Sequence, residues 1–204
     1  MLQHLGTSSP GTEQELVLKR IARLVFPHAF AEESVLWPEI RRELPDGDAL
    51  TLRVEEEHQE VNELWTELEK LPLDAERRQQ VLDRLVEVLR EDVRDEEDEF
   101  LPRLQDAVDV RRLQVLGVAW ELVRRTAPTR PHPVVSRRPP GNALAALPLT
   151  VLDRTRDGLD TVALRSQRWR GPASRASRGL AGAAGRVERI GVLRRGERPS
   201  TRSG

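Results

Sequence analysis

Three long segments of this chain each carry an apolar stripe at spacings of three and four, and each stripe includes residues of the kind that bind metals. In the first, Ile21, Val25, His28, Glu32 and Val35 share a face. In the second it is Val54, His58, Val61, Trp65 and Leu68, and in the third Val81, Leu85, Val88, Asp92, Glu96 and Phe100. The period is helical, and such a stripe faces a core. His28, Glu32, His58, Asp92 and Glu96 are therefore expected to point between packed helices. A single unpaired carboxylate is costly to bury. Three of them beside two imidazoles make sense when a cation compensates them, and carboxylate and neutral imidazole are natural ligands of a divalent or trivalent metal. The i, i+4 spacing within His28–Glu32 and Asp92–Glu96 sets both members of a pair on one face, one turn apart.

An internal repeat reinforces this placement. Residues 28–38 read His-Ala-Phe-Ala-Glu-Glu-Ser-Val-Leu-Trp-Pro, and residues 92–102 read Asp-Val-Arg-Asp-Glu-Glu-Asp-Glu-Phe-Leu-Pro. In both, Glu-Glu follows the first residue at +4 and +5 and Pro follows it at +10. Asp92 thus stands where His28 stands, and Glu96 where Glu32 stands.

The punctuation between the stripes outlines the chain. Thr12 with Glu15 fits a capping box, which starts a helix running toward Leu44 with a kink expected at Pro27. Pro45-Asp46-Gly47-Asp48 reads as a turn, a second helix runs from about Ala49 to Leu71, and Pro72 closes it. A third helix runs from about Asp74 to Ala107 and a fourth from about Val110 to Thr126. Short loops between long helices make neighbours antiparallel, which is bundle topology. After Ala127, five prolines up to Pro140 mark residues 127–143 as an extended linker. Residues 144–204, one weak helix followed by Arg, Gly, Ser and Ala, are expected to be a disordered tail.

Charge divides the chain along the same lines. Residues 1–110 hold 28 Asp and Glu against 13 Lys and Arg, whereas residues 161–204 hold 11 Arg against Glu188 and Glu197. The pattern is that of an acidic folded body with a basic tail. Cysteine is absent, so thiolate sites and disulfides are excluded and any metal must use His and carboxylates. No apolar run is long enough to span a membrane, and Met1 to Pro10 has neither the basic start nor the apolar core of a secretory leader. A cytoplasmic location is the expectation.

The segments His28-x-x-x-Glu32-Glu33 with Trp37-Pro38, Glu57-His58, and Glu96-Glu97 with Leu101-Pro102 resemble the hemerythrin HHE cation-binding family over about residues 12–125. The segment from Ala127 to Pro133 also looks like an extension seen in some members. The resemblance implies an all-α, up-and-down four-helix bundle over residues 1–126, a non-haem di-iron site, and binding or sensing of oxygen, nitric oxide or peroxide. It implies ligands at His28, Glu32, His58 and Glu96. Two departures stand out. The family's first-helix His has no helical counterpart, because the bundle lacks a full first helix; His4 sits beside Leu2, Leu5 and Thr7, which read as a helix end. Asp92 replaces a His, and Asp can ligate iron with a changed redox poise.

Two readings follow. In one, the protein binds iron, as a di-iron, single-metal or impaired site, and takes a small diatomic ligand or an oxidant. In the other, it is a metal-free helical module acting through protein contacts or its basic tail. No nucleophile and base converge elsewhere, so binding rather than turnover is expected, and an oxidase or peroxidase activity has no substrate-pocket signal. Asp95, Asp98 and Glu99 read as a solvated face, and Asn62, at +4 from His58, as a weak ligand. Trp37, Trp65 and Trp120 read as core, and His132 as linker background. Trp169 between Arg168 and Arg170 is the tail's one feature suited to nucleic acid, and a solvated tail is the simpler reading. The side left open by the missing helix is filled by the Val110–Thr126 helix or by a second chain in a homodimer.

Overall fold

The computed structural model describes residues 11–73, 75–196 and 198–201, and these are helical without a strand. Helix α1 (Thr12–Ala31) passes through a π turn (Glu32–Leu36) into α2 (Trp37–Glu43). Helix α3 (Gly47–Lys70) follows. Helix α4 (Glu76–Asp95) passes through a second π turn (Glu96–Phe100) into α5 (Leu101–Ala107), and α6 is Val110–Thr126. Beyond a strap of residues 127–140 come α7 (Gly141–Arg165) and α8 (Arg170–Glu188). His4 lies outside the described residues.

The apolar stripes build two cores with a polar layer between them. One core joins Leu18, Ile21 and Phe26 of α1 to Val61, Trp65 and Leu68 of α3 and to Val81, Leu85 and Leu89 of α4. The other joins Trp37 and Ile40, Leu50 and Val54, Phe100 and Leu104, and Leu116 of α6. His58 lies on α3 between Val54 of one core and Val61 of the other. Glu32 lies between Phe26 and Trp37, and Asp92 and Glu96 lie between Leu89 and Phe100. Apolar packing on both sides holds these side chains in register.

Local rules explain the joints. Pro27 is accommodated within α1, and the irregularity falls instead at the π turn that follows. In each repeat the proline at +10 lacks an N–H, and its ring would strike the preceding turn of a regular helix. One extra residue in the π turn resets the register, with Trp37 N–H bonding to the Glu32 carbonyl and Leu101 N–H to that of Glu96. Gly11 precedes α1, and Glu15 pairs with Arg78 rather than completing a capping box. The buried Arg78 also donates to the Leu68 carbonyl at 2.8 Å and so satisfies the exposed end of α3. Gly47 is a steric requirement, because a Cβ there would fall on the carbonyl of Ile40. Gly47→Ala should therefore cost about 2 kcal/mol, read as a lowered urea midpoint with an unchanged slope.

The expected disordered tail is corrected by the structure: α7 and α8 pack along each other over a small core of Val135, Ala145, Leu149, Ala184 and Leu193. Apolar content misjudged the segment because polar pins hold it. Asp153 is fully buried and accepts the backbone N–H groups of Thr129 and Arg130 at 3.0 and 3.1 Å. Arg130 pairs with Asp157 and Asp160. His132, read as background, lies between Asp153 (Nε2, 2.9 Å) and Glu188 (Nδ1, 2.9 Å). The strap is thus tied down, not extended in solvent. Trp169 is exposed at the start of α8, with the Arg168 guanidinium 5.8 Å from its ring.

Helix α6 packs along α1 and the π turn that follows it. Leu116 is buried and Trp120 meets His28, while Val115, Val118 and Leu122 face outward. Between α1 and α4 an apolar groove of about 260 Å³ remains, lined by Ile21, Leu24, Val25, Ala29, Leu89 and Val93. His28 and Asp92 lie on its wall.

Candidate metal centre

All five residues singled out by the stripes meet in the polar layer. His28 Nε2 lies 2.9 Å from Glu32 Oε1 and 3.5 Å from Glu96 Oε2. His58 Nε2 lies 3.3 Å from Asp92 Oδ1 and 4.0 Å from Glu32 Oε2. Glu32 therefore turns one oxygen toward each imidazole. Two groups of three have ligand atoms mutually within 4.8 Å: His28, Glu32 and Glu96, and His58, Asp92 and Glu96. Glu96 belongs to both.

The π turns produce this convergence. Each opens at the carboxylate that faces both imidazoles, Glu32 in one repeat and Glu96 in the other. Such single-turn bulges frequently occur at functional sites. Trp37 stacks near His58 with ring centroids 6.4 Å apart, and Trp120 meets His28 edge-on at 5.2 Å. His58, Glu32, Asp92 and Glu96 are buried, whereas the His28 side chain remains 44 % exposed.

Electrostatics in the layer are heavily perturbed. Burial disfavours a charge on His28, yet hydrogen bonds and attraction from Glu32 and Glu96 outweigh it and lift the imidazole to about 10. Burial pushes Glu32 up to about 8, with repulsion from Glu96 adding and the two histidines opposing. His58 is raised well above its ordinary value, since Asp92 and Glu33 overcome its burial. Burial, then repulsion from Asp92 and Asp95, lifts the nearby Glu57 to about 7.

Four buried atoms decide what the layer is suited to hold. Glu32 Oε2, His58 Nε2, Asp92 Oδ1 and Glu96 Oε1 are shielded from solvent, and none makes a well-aligned hydrogen bond, His58 Nε2 and Asp92 Oδ1 facing each other at 3.3 Å. Buried polar atoms are ordinarily satisfied, and here three carboxylate oxygens and one imidazole nitrogen remain unsatisfied in one layer. Those are hard and borderline donors of the kind that bind iron, manganese or zinc. The sequence itself matches the family model of the hemerythrin HHE cation binding domain over residues 2–104. The chain belongs to the hemerythrin HHE family. It is also 25 % identical over 134 residues to an uncharacterized hemerythrin-like protein of Schizosaccharomyces pombe. That alignment covers 65 % of this chain and 66 % of the yeast protein, so the chain spans just under two thirds of its relative's length. No solved structure matches.

Some residues around the hemerythrin-like centre were not foreseen. Glu33, quoted only as half of a Glu-Glu pair, accepts from His58 Nδ1 at 2.9 Å behind the ring. Asn62 bonds the His58 carbonyl with its amide nitrogen and the His132 N–H with its oxygen, so its polar atoms are engaged away from the centre. The doubled Glu was the available signal for Glu33, because adjacent helical positions diverge by about 100° and only one can face the stripe. Asp95 and Glu99 pair with Arg53 at the surface and Asp98 is exposed, in keeping with a solvated face.

Proposed function

We propose that this protein binds a pair of metal ions, iron by family, and through them binds or senses a small diatomic molecule or an oxidant. The observation that carries the proposal is the set of four unsatisfied buried atoms in two histidine-led groups that share Glu96. His28, Glu32 and Glu96 would hold one ion, and His58, Asp92 and Glu96 the other, with Glu32 facing both. Iron there would supply a redox-active Lewis acid for oxygen, nitric oxide or peroxide.

The protein's own residues set the conditions. Trp37 and the two apolar cores restrict water on the His58 side. The half-exposed His28 and the groove beside it leave the other side open to a small molecule. Glu33 holds Nδ1 of His58, which leaves Nε2 facing the carboxylates. Such a hydrogen bond fixes the orientation of a ligating imidazole and raises its basicity.

Thermal unfolding with and without iron(II), under anaerobic conditions, tests the reading. Iron at 100 times its dissociation constant should raise the melting temperature by roughly 5–10 °C, and chelator should reverse the shift. His58→Ala should remove that shift. A melting temperature indifferent to iron and to chelator would favour the metal-free module. On the loaded protein, nitric oxide should then change the visible absorption.

A further inference from the structure

The strap of residues 127–140 runs directly behind the candidate centre. We infer that Arg137 of the strap is a positioning residue for the metal centre, holding Glu33 in place to fix the ring of His58. The inference rests on the reading of His58 as a ligand and deepens it.

The geometry forms a closed relay. Glu33 Oε1 receives His58 Nδ1–H at 2.9 Å, and Arg137 Nη1 lies 3.7 Å from the same oxygen. Glu33 and Arg137 are both buried. Arg137 also donates Nη2 to Gln59 Oε1 at 2.9 Å, while Gln59 donates back to the carbonyl of Pro133 at 3.1 Å. One turn along α3, the His132 N–H donates to Asn62 Oδ1 at 2.9 Å, and Asn62 donates to the His58 carbonyl at 2.8 Å. The strap therefore grips α3 at Gln59 and Asn62, within the turn that follows His58.

The consequence is a fixed ring orientation. An imidazole with Nδ1–H given to a carboxylate directs Nε2 to the opposite side, where its lone pair serves a metal once the metal replaces the proton there. Nε2 of His58 is the buried atom that faces Asp92 and Glu32. The positive guanidinium holds the Glu33 carboxylate as a fixed acceptor, so that a segment more than 70 residues away in sequence completes the outer shell. Arg138, its neighbour, pairs instead with Glu55 and Asp48, on the part of α3 that precedes His58. That makes Arg138 a control from the same strap.

The experiment is a histidine ring nitrogen NMR spectrum of the metal-free full chain, paired with iron(II) affinity by anaerobic titration. In the unaltered protein His58 should show a single ring form with a slowly exchanging Nδ1–H. Arg137→Gln should broaden or split that signal and weaken iron binding about 10- to 100-fold, in the range of lost outer-shell partners. Arg137→Lys should restore the single form, and Arg138→Gln should leave both signal and affinity unchanged. Should Arg137→Gln fail to fold, Gln59→Leu, which removes an acceptor that holds the Arg137 guanidinium in place, carries the same expectation. An unchanged His58 signal in Arg137→Gln, or an equal effect from Arg138→Gln, would overturn the inference. If no variant binds iron, the functional reading fails while the NMR spectrum still decides the role of Arg137.

Discussion

Glu96→Gln should abolish loading of both metal positions, lowering iron affinity by about 100-fold or more. The shape of the side chain is kept, and what changes is the charge and one oxygen. Because Glu96 is common to both histidine-led groups, neither position retains its full set. His28→Ala removes a member of one group only and should leave about one ion bound. Glu99→Gln, on the exposed face beside Arg53, should leave loading unchanged. The metal-free Glu96→Gln protein should be as stable as the parent or more stable, since one of three carboxylates crowded in the layer has lost its charge. Anaerobic titration together with thermal unfolding separates loss of the centre from loss of the fold.

Asp153→Ala should destabilise the C-terminal helical pair by about 3–5 kcal/mol. The fully buried carboxylate accepts from two backbone N–H groups of the strap and from His132, and alanine would leave three donors without an acceptor. The strap should then open to limited proteolysis within residues 127–140. The same clamp carries a pH dependence. Burial works against a charge on His132, but Asp153 and Glu188 on either side raise it from 6.5 to about 9. A raised imidazole contributes its stability fully below the unfolded value, and the contribution fades as pH climbs through the folded value. The effect amounts to about 3 kcal/mol between pH 6.5 and 9. Comparison with His132→Gln isolates it: the two proteins should differ most near pH 6 and converge above pH 9.

The bundle and the centre were legible because both rest on periodicity. Spacings of three and four placed Val25, His28 and Glu32 on one face, and the repeat at residues 28–38 and 92–102 matched Asp92 to His28. The π turns were less legible, although Pro38 and Pro102 marked where a regular helix could not continue. Glu33 was hidden because its partner is the back of an imidazole on another helix, a contact that no spacing within one helix reports. The C-terminal helices were misjudged for a physical reason. Composition measures how much apolar surface a segment can bury, whereas α7 and α8 are anchored by Asp153, Arg130 and His132. Such pins count as solubility until their partners are known.

The most direct test is a count of metal. The purified 204-residue chain, loaded anaerobically with iron(II), dialysed and analysed by elemental emission, should retain close to two ions. Glu96→Gln treated identically should retain essentially none. An unaltered protein that keeps no more iron than Glu96→Gln would show that the crowded carboxylates are not there to hold a cation, and the account would fail at its centre.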